Sequence, residues 1–329
     1  MNLVGVDVGG TKTAICVGNE RGEVRVSRRF PSAAEPTQDG YFRRLQETYA
    51  ATLKEAGLLP GQVDAVGISA PGPLDVNRGV LIAPPNNPGW LEVPMVERVR
   101  QIAGCSVHMN HDGKACALAE WLFGECRGAR NLVYLTFSTG MGGGIILNGE
   151  LVQGATDSAG EVGHQILDPK GPLCGCGMRG CWEAYVGGRS LAERVRERIV
   201  REGVRTSIVD KAGGQLAKVT AKEVEDAARE GDPFAVAVWD EFLERVAQGV
   251  GNLIMLLNPE VVVLGTIAIR AGDFVMVPLR EKLKKYVWEW PLQVCRVVPS
   301  SLGERIADLS ALAVAVVGLR RDADAQKAR

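Results

Sequence analysis

The sequence predicts an α/β protein built in two halves, and three observations carry that prediction. A strand, a glycine turn and a second strand occupy residues 3–17, and the same plan recurs over residues 132–147. Amphipathic helical patterns accompany these hairpins. Apolar residues fall three and four apart at Leu45, Tyr49, Leu53 and Ala56, and again at Trp239, Leu243, Val246, Val250, Leu253 and Leu257. Meanders alternating with helices, in two halves, indicate an α/β protein with a cleft between its domains. Identity between the two hairpins is slight, so an internal duplication is suggested by the plan alone.

The elements follow in chain order. Leu3–Val8 and Thr13–Val17 read as strands around Gly9-Gly10-Thr11-Lys12, with Glu23–Phe30 as a third strand of the meander. A helix over residues 37–56 ends near Gly57. Val63–Ser69 is an apolar strand running into the breaker cluster Ala70-Pro71-Gly72-Pro73. A Pro- and Asn-rich loop spans Ala83–Trp90. A helix near Met95–Ile102, a short strand Val107–Asn110 and a helix Ala115–Phe123 come next. In the second half, Leu132–Phe137 is a strand, Ser138–Gly144 a glycine turn and Ile145–Leu147 the return strand. Val261–Leu264 is a strand into Gly265, Ala307–Leu319 a helix, and the polar tail after Arg320 reads as frayed.

Composition removes several function classes. The 38 Lys plus Arg against 39 Asp plus Glu leave a formal charge of −1, with no electrostatic basis for nucleic acid or a membrane surface as partner. Val250–Ile269 is interrupted by Asn258-Pro259-Glu260, and Leu309–Leu319 is too short to span a bilayer. The opening MNLVGVDVGG places Asp7 inside what would be a signal peptide's apolar run. These features predict a cytoplasmic protein with reduced thiols. Its 40 glycines in 329 residues, about 12% against a usual ~7%, and its eight cysteines then require explanation.

Three of those cysteines stand together. His164 is followed after nine residues by Cys174-Gly175-Cys176, and Cys181 closes the segment. One imidazole and three thiolates complete a tetrahedral zinc set, and four protein ligands make such an ion structural. The alternative, three buried thiols beside a core histidine, fits poorly with so glycine-rich a loop. Cys16, Cys105, Cys116, Cys126 and Cys295 are scattered and read as core thiols.

The glycine turns admit two readings. Asp7, Gly9, Gly10, Thr11 and Lys12 could cradle a phosphate with backbone amides, a hydroxyl and an ammonium, or simply close a hairpin. A second such turn, with Thr139 and Gly140, favours two turns gripping a polyphosphate. Asp112, at a strand end before a helix, is either an N-cap or a general base. Glu161 and Glu183 flank the cysteine–histidine segment, and Asn86 and Asn87 add neutral donors and acceptors, a set suited to sugar hydroxyls.

Taken together, Asp7–Lys12, Pro85-Asn86 through Trp90, Asp112 with Ala115–Glu120, Thr139–Gly144, Glu161–His164 and Cys174–Glu183 resemble the ROK family of sugar kinases and repressors. The likeness covers essentially the whole chain. It implies the two-domain actin-like ATPase fold, with ribonuclease-H-like domains over residues 1–112 plus 305–329 and over 113–304. It further implies an ATP-dependent hexose kinase acting on glucose at the 6-hydroxyl, with ATP, Mg²⁺ and a structural Zn²⁺. Asp112 matches the family's base, and Asn86, Glu161, His164 and Glu183 match positions that bind sugar hydroxyls, beside His111 and Asp112. His164, Cys174, Cys176 and Cys181 match the zinc ligands. The glycine turns and Gly265 match the nucleotide site. A homodimer or homotetramer is the oligomeric state that the resemblance suggests.

The chain departs from the family pattern in three places. His111 precedes Asp112 where an Asn is usual, Lys114 stands where a second Asn is common, and Thr266 follows Gly265 where glycines run on. Kinases for N-acetylmannosamine, N-acetylglucosamine or another hexose are the nearest alternatives. A sugar-responsive repressor would carry a helix-turn-helix before the first strand, whereas this sequence starts two residues before it. A non-catalytic zinc-stabilised protein would have no use for Asp112 beside two phosphate turns.

Overall fold

The computed structural model describes residues 1–32, 35, 37–84 and 89–327. Asn86, expected to bind sugar, lies outside the described residues. The chain forms two compact units, Met1–Arg130 with Gly144–Gly160 and Ser301–Arg329, and Asn131–Gly143 with Glu161–Ser300.

The first stretch contains β1 (Leu3–Val8), β2 (Lys12–Gly18), β3 (Val24–Pro31), α1 (Gln38–Glu55), β4 (Ala65–Ala70), β5 (Leu74–Asp75), β6 (Val80–Leu81), α2 (Met95–Ala103), β7 (Ser106–His111) and α3 (Asp112–Phe123). Next come β8 (Leu132–Phe137), β9 (Met141–Leu147) and β10 (Glu150–Leu151). Five helices then run in succession: α4 (Trp182–Val186), α5 (Gly188–Glu202), α6 (Ser207–Lys211), α7 (Ala221–Arg229) and α8 (Pro233–Leu257). The chain ends with β11 (Val261–Leu264), α9 (Ile267–Ala271), α10 (Asp273–Leu283), α11 (Glu289–Val294), β12 (Arg296–Pro299) and α12 (Ile306–Lys327).

In the first sheet the order is β3-β2-β1-β4-β7. The hairpin β1–β2 and the pair β2–β3 are antiparallel, while β1, β4 and β7 run parallel. Alternation sorts the side chains: Val4, Val6 and Val8 join Ile15, Phe30, Tyr41 and Leu45 in one core. The opposite face of β1 and β4 takes α12. There the backbones nearly touch, since a Cβ on Gly67 would lie 2.0 Å from the Ala311 carbonyl oxygen. Small residues Ala311, Ala313 and Ala315, all buried, allow that approach.

The second sheet has the order β10-β9-β8-β11-β12. Its β9–β10 pair is antiparallel, whereas β8, β11 and β12 are parallel. Both sheets thus set an antiparallel meander beside parallel strands, the repeat of plan that the two glycine turns suggested. Helix α8 starts with Pro233 behind an Asp232 cap that accepts from the Ala235 amide, and it ends at Asn258 in the left-handed conformation. Trp239 on this helix stacks on Phe242 and Phe274, with centroids 4.9 and 5.6 Å away.

Three expectations shift. The first unit runs past residue 112 to Arg130, because α3 packs on α12 and stays with it. Helix α3 begins at Asp112 and not at Ala115, because His111 caps it. The tail after Arg320 is helical to Lys327, a run of good helix formers that needs no apolar stripe.

Candidate active site and metal centre

The first glycine turn closes the β1–β2 hairpin, with the Gly9 amide donating to the Lys12 carbonyl at 3.1 Å. Thr11 and Lys12 are exposed on it. Behind the turn, the Thr13 hydroxyl lies 2.8 Å from Ser32 Oγ and 2.9 Å from Tyr41 Oη, a buried anchor that sequence reading missed. Asp7 is the penultimate residue of β1. Burial pushes its carboxyl up to about 7; the Ser69 hydrogen bond at 2.9 Å opposes this, and the charges of Asp112 and Asp308 add to it.

Asp112 is the first residue of α3, and the cap is the residue before it. His111 Nδ1 accepts from the Gly113 amide at 3.3 Å and lies 3.1 Å from Asp112 Oδ1, which accepts from the same amide at 2.6 Å. The Asp112 side chain is 52% exposed, against 16% for His111. Strand β7 therefore delivers an accessible carboxylate at a helix N-terminus. Lys114, two residues further along the same turn, is buried and bonded to Gln153 and Asp157.

In the second unit the glycine turn is shorter than expected. Ser138 N donates to Gly140 O at 2.9 Å, and Met141 already belongs to β9. Two amides of the α5 start tie the turn down: Gly188 N donates to Ser138 O at 2.9 Å and Arg189 N to Thr139 O at 3.0 Å. Glu183, expected to face sugar, accepts from the Met141 amide at 2.7 Å, and a Cβ on Gly140 would lie 2.5 Å from its Oε2. A side chain at residue 140 would have to displace that carboxylate.

A cavity of about 420 Å³ opens beside this turn, lined by Ser138, Thr139, Gly188, Arg189, Lys222 and Arg270 among others. Arg189 comes from α5, Lys222 from α7 and Arg270 from α9, with Arg196 of α5 a fourth cation on the lining, and no local motif announces them. Gly265 follows β11, its amide donating to Leu135 O at 2.7 Å. Thr266 follows with φ +45°, a rare conformation for a β-branched residue, and its hydroxyl lies 2.8 Å from that of Thr136.

The cysteine–histidine segment folds into a tight knuckle. Cys174 N donates to Met178 O at 2.8 Å and Gly177 N to Cys174 O at 3.0 Å, while Leu167 N donates to Gly180 O at 2.8 Å. Ligand atoms of His164, Cys174, Cys176 and Cys181 all lie within 4.8 Å of one another. Cys176 and Cys181 sulfurs are 3.6 Å apart, and Cys174 Sγ is 3.8 Å from His164 Nδ1. Ligands at ~2.3 Å on a tetrahedron stand about 3.8 Å apart, so this donor set fits one zinc-sized ion. Glu161 caps the short turn Val162–His164, the His164 amide donating to its carbonyl at 3.1 Å. Of the other thiols, Cys16, Cys126 and Cys295 are buried, and Cys105 and Cys116 are half-buried.

Residues 3–316 match the model of the ROK family. The glucokinase of Thermotoga maritima is 33% identical over 95% of this chain and 97% of its own. A ROK hexokinase structure from Thermus thermophilus is 31% identical, with a TM-score of 0.83 over 98% of this chain and all of that one. A ROK family glucokinase from Streptomyces griseus, solved in complex with glucose and AMPPNP, is 31% identical, with a TM-score of 0.78 over 96% and 99% of the two chains. The chain belongs to the ROK family. It has the actin-like ATPase fold, and it is an ATP-dependent hexose kinase.

Proposed function

We propose that this hexose kinase phosphorylates glucose at the 6-hydroxyl, with Asp112 as general base. The placement of Asp112 carries the reading: a half-exposed carboxylate at a helix N-terminus, with its cap supplied by His111 and so not by its own oxygens alone. In this reading Asp112 accepts the hydroxyl proton as the sugar oxygen attacks the γ-phosphorus in line, and ADP departs with the old bond's electrons. Lys12 and the amides of the two glycine turns stabilise the charge on the transferring phosphoryl group. Asn86, Glu161, His164 and Glu183 hold the other hydroxyls, and Thr139, Gly140 and Gly265 take part in nucleotide binding.

Mg²⁺ arriving with ATP would supply charge neutralisation at the phosphates, and Asp7, a buried carboxyl beside the first turn, is the hard oxygen donor suited to it. Zinc would be held by His164, Cys174, Cys176 and Cys181 and would cross-link the knuckle. With Nδ1 turned toward Cys174, the His164 ring has Nε2 to offer a hydroxyl, so the site can orient substrate without an open coordination position. ATP as donor agrees with a cytoplasmic setting.

A coupled kinase assay over glucose, mannose, N-acetylmannosamine, N-acetylglucosamine and fructose tests the substrate. Glucose with the highest kcat/KM is the expected result; a tenfold preference for another sugar overturns it.

A further inference from the structure

We propose that Lys114 is a positioning residue for hexose binding: its buried ammonium fixes the loop 153–157 to the first turn of α3, the turn that Asp112 begins. The inference rests on the hexose-kinase reading of Asp112.

Lys114 is 1% exposed, among the largest fully buried side chains of the protein. Burial of an ammonium is costly unless all its donors are used. Here, among the described residues, the ammonium meets Gln153 O at 3.1 Å, Gln153 Oε1 at 2.9 Å and Asp157 O at 2.8 Å. All three belong to one loop, so the lysine grips it at both ends. Packing alone would be served by Met or Leu at this position. The charge adds direction, because each acceptor must hold its orientation to keep the ammonium satisfied.

The loop has two further ties. The Ala159 amide donates to Gln153 O at 3.1 Å, closing the loop on itself. Asp157 Oδ2 accepts from the Val76 amide at 2.9 Å, which fastens it to the turn after β5. Asp157 has φ +55°, a left-handed conformation that Asp adopts more readily than most residues. Four residues later the chain reaches Glu161, the first residue of the segment read as binding sugar hydroxyls. One side chain thus couples the helix start that carries the base to the loop that leads into the hydroxyl-binding segment. Lys114 touches no reacting atom; it acts through that loop.

Lys114→Met keeps the stem and removes the ammonium. Steady-state kinetics with hexose and ATP varied separately should show KM for hexose raised about tenfold or more, with kcat and KM for ATP within about threefold. A merely structural lysine would behave differently, lowering kcat through a smaller active fraction and leaving both KM values alone. Asp157→Gly serves if the first variant does not fold. Glycine accepts the positive φ and keeps the carbonyl for Lys114, while the Val76 tether is lost. Its expected effect is a rise of about threefold in KM for hexose alone. An unchanged KM for hexose in the folded variants overturns the proposal. The functional reading fails separately, when the unaltered protein phosphorylates no hexose or Asp112→Asn keeps its turnover.

Discussion

The Ser69 hydroxyl donates to Asp7 Oδ1 across 2.9 Å, and even so burial holds the Asp7 carboxyl up at about 7. Unfolded, the group ionises near 3.8, so between about pH 4 and 7 the folded protein keeps a proton that the unfolded chain has released. Its contribution to stability is complete below pH 4 and is lost as the pH rises through 7. The amount is on the order of 4 kcal/mol at most for a shift of this size. Asp7→Asn should therefore raise the thermal midpoint by several degrees at pH 8 and change it little at pH 4, in the absence of Mg²⁺ and nucleotide. Equal shifts at both values would place the destabilisation elsewhere.

Asp112→Asn removes the proton acceptor and leaves the His111 cap in place. Turnover should fall about 10²- to 10⁴-fold, the usual contribution of a general base. Glucose affinity, read by tryptophan fluorescence, should stay within a few-fold. Near-normal turnover would take Asp112 out of the base role.

Elemental analysis should find about one zinc per chain. Cys181 is fully buried, and Cys181→Ser should release the metal, lower the thermal midpoint and raise KM for hexose through the loosened His164. Metal-free protein with full stability and unchanged KM would sink the zinc assignment.

Gly67→Ala introduces a methyl 2.0 Å from the Ala311 carbonyl oxygen and 2.4 Å from the Ala315 amide. Neither is the end of a flexible side chain, so α12 must move off the sheet. A loss of about 3 kcal/mol or more is expected in urea unfolding of the intact chain. A loss below about 1 kcal/mol would mean that the helix gives way more cheaply than its packing implies.

What was legible in the sequence followed the range of its signals. Period and turn chemistry exposed the two hairpins, α1 and α8, because each is specified by residues within a few positions of one another. The Cys/His cluster was equally plain, since three of its four residues fall between Cys174 and Cys181. Lys114 was seen only as a departure from a pattern: its acceptors lie 39 and 43 residues away, beyond any local motif. Arg189, Lys222 and Arg270 were invisible for the same reason, being gathered from three helices. The start of α3 was misplaced because histidine is not among the usual capping residues. The bond from the Met141 amide to Glu183 was hidden as well, because it depends on a turn whose end the glycine run concealed.

The close approach of Gly67 to Ala311 also bears on the order in which the protein can be made. Strands β1, β2 and β4 leave the ribosome early, but the helix that shields one of their faces comes from residues 306–327. During synthesis that face, Gly5 and Gly67 included, lacks its α12 cover until residues 306–327 have been translated. The first sheet is thus begun before the second and covered after it, and a nascent chain stalled before α12 leaves an apolar sheet face open to a chaperone or to another such chain.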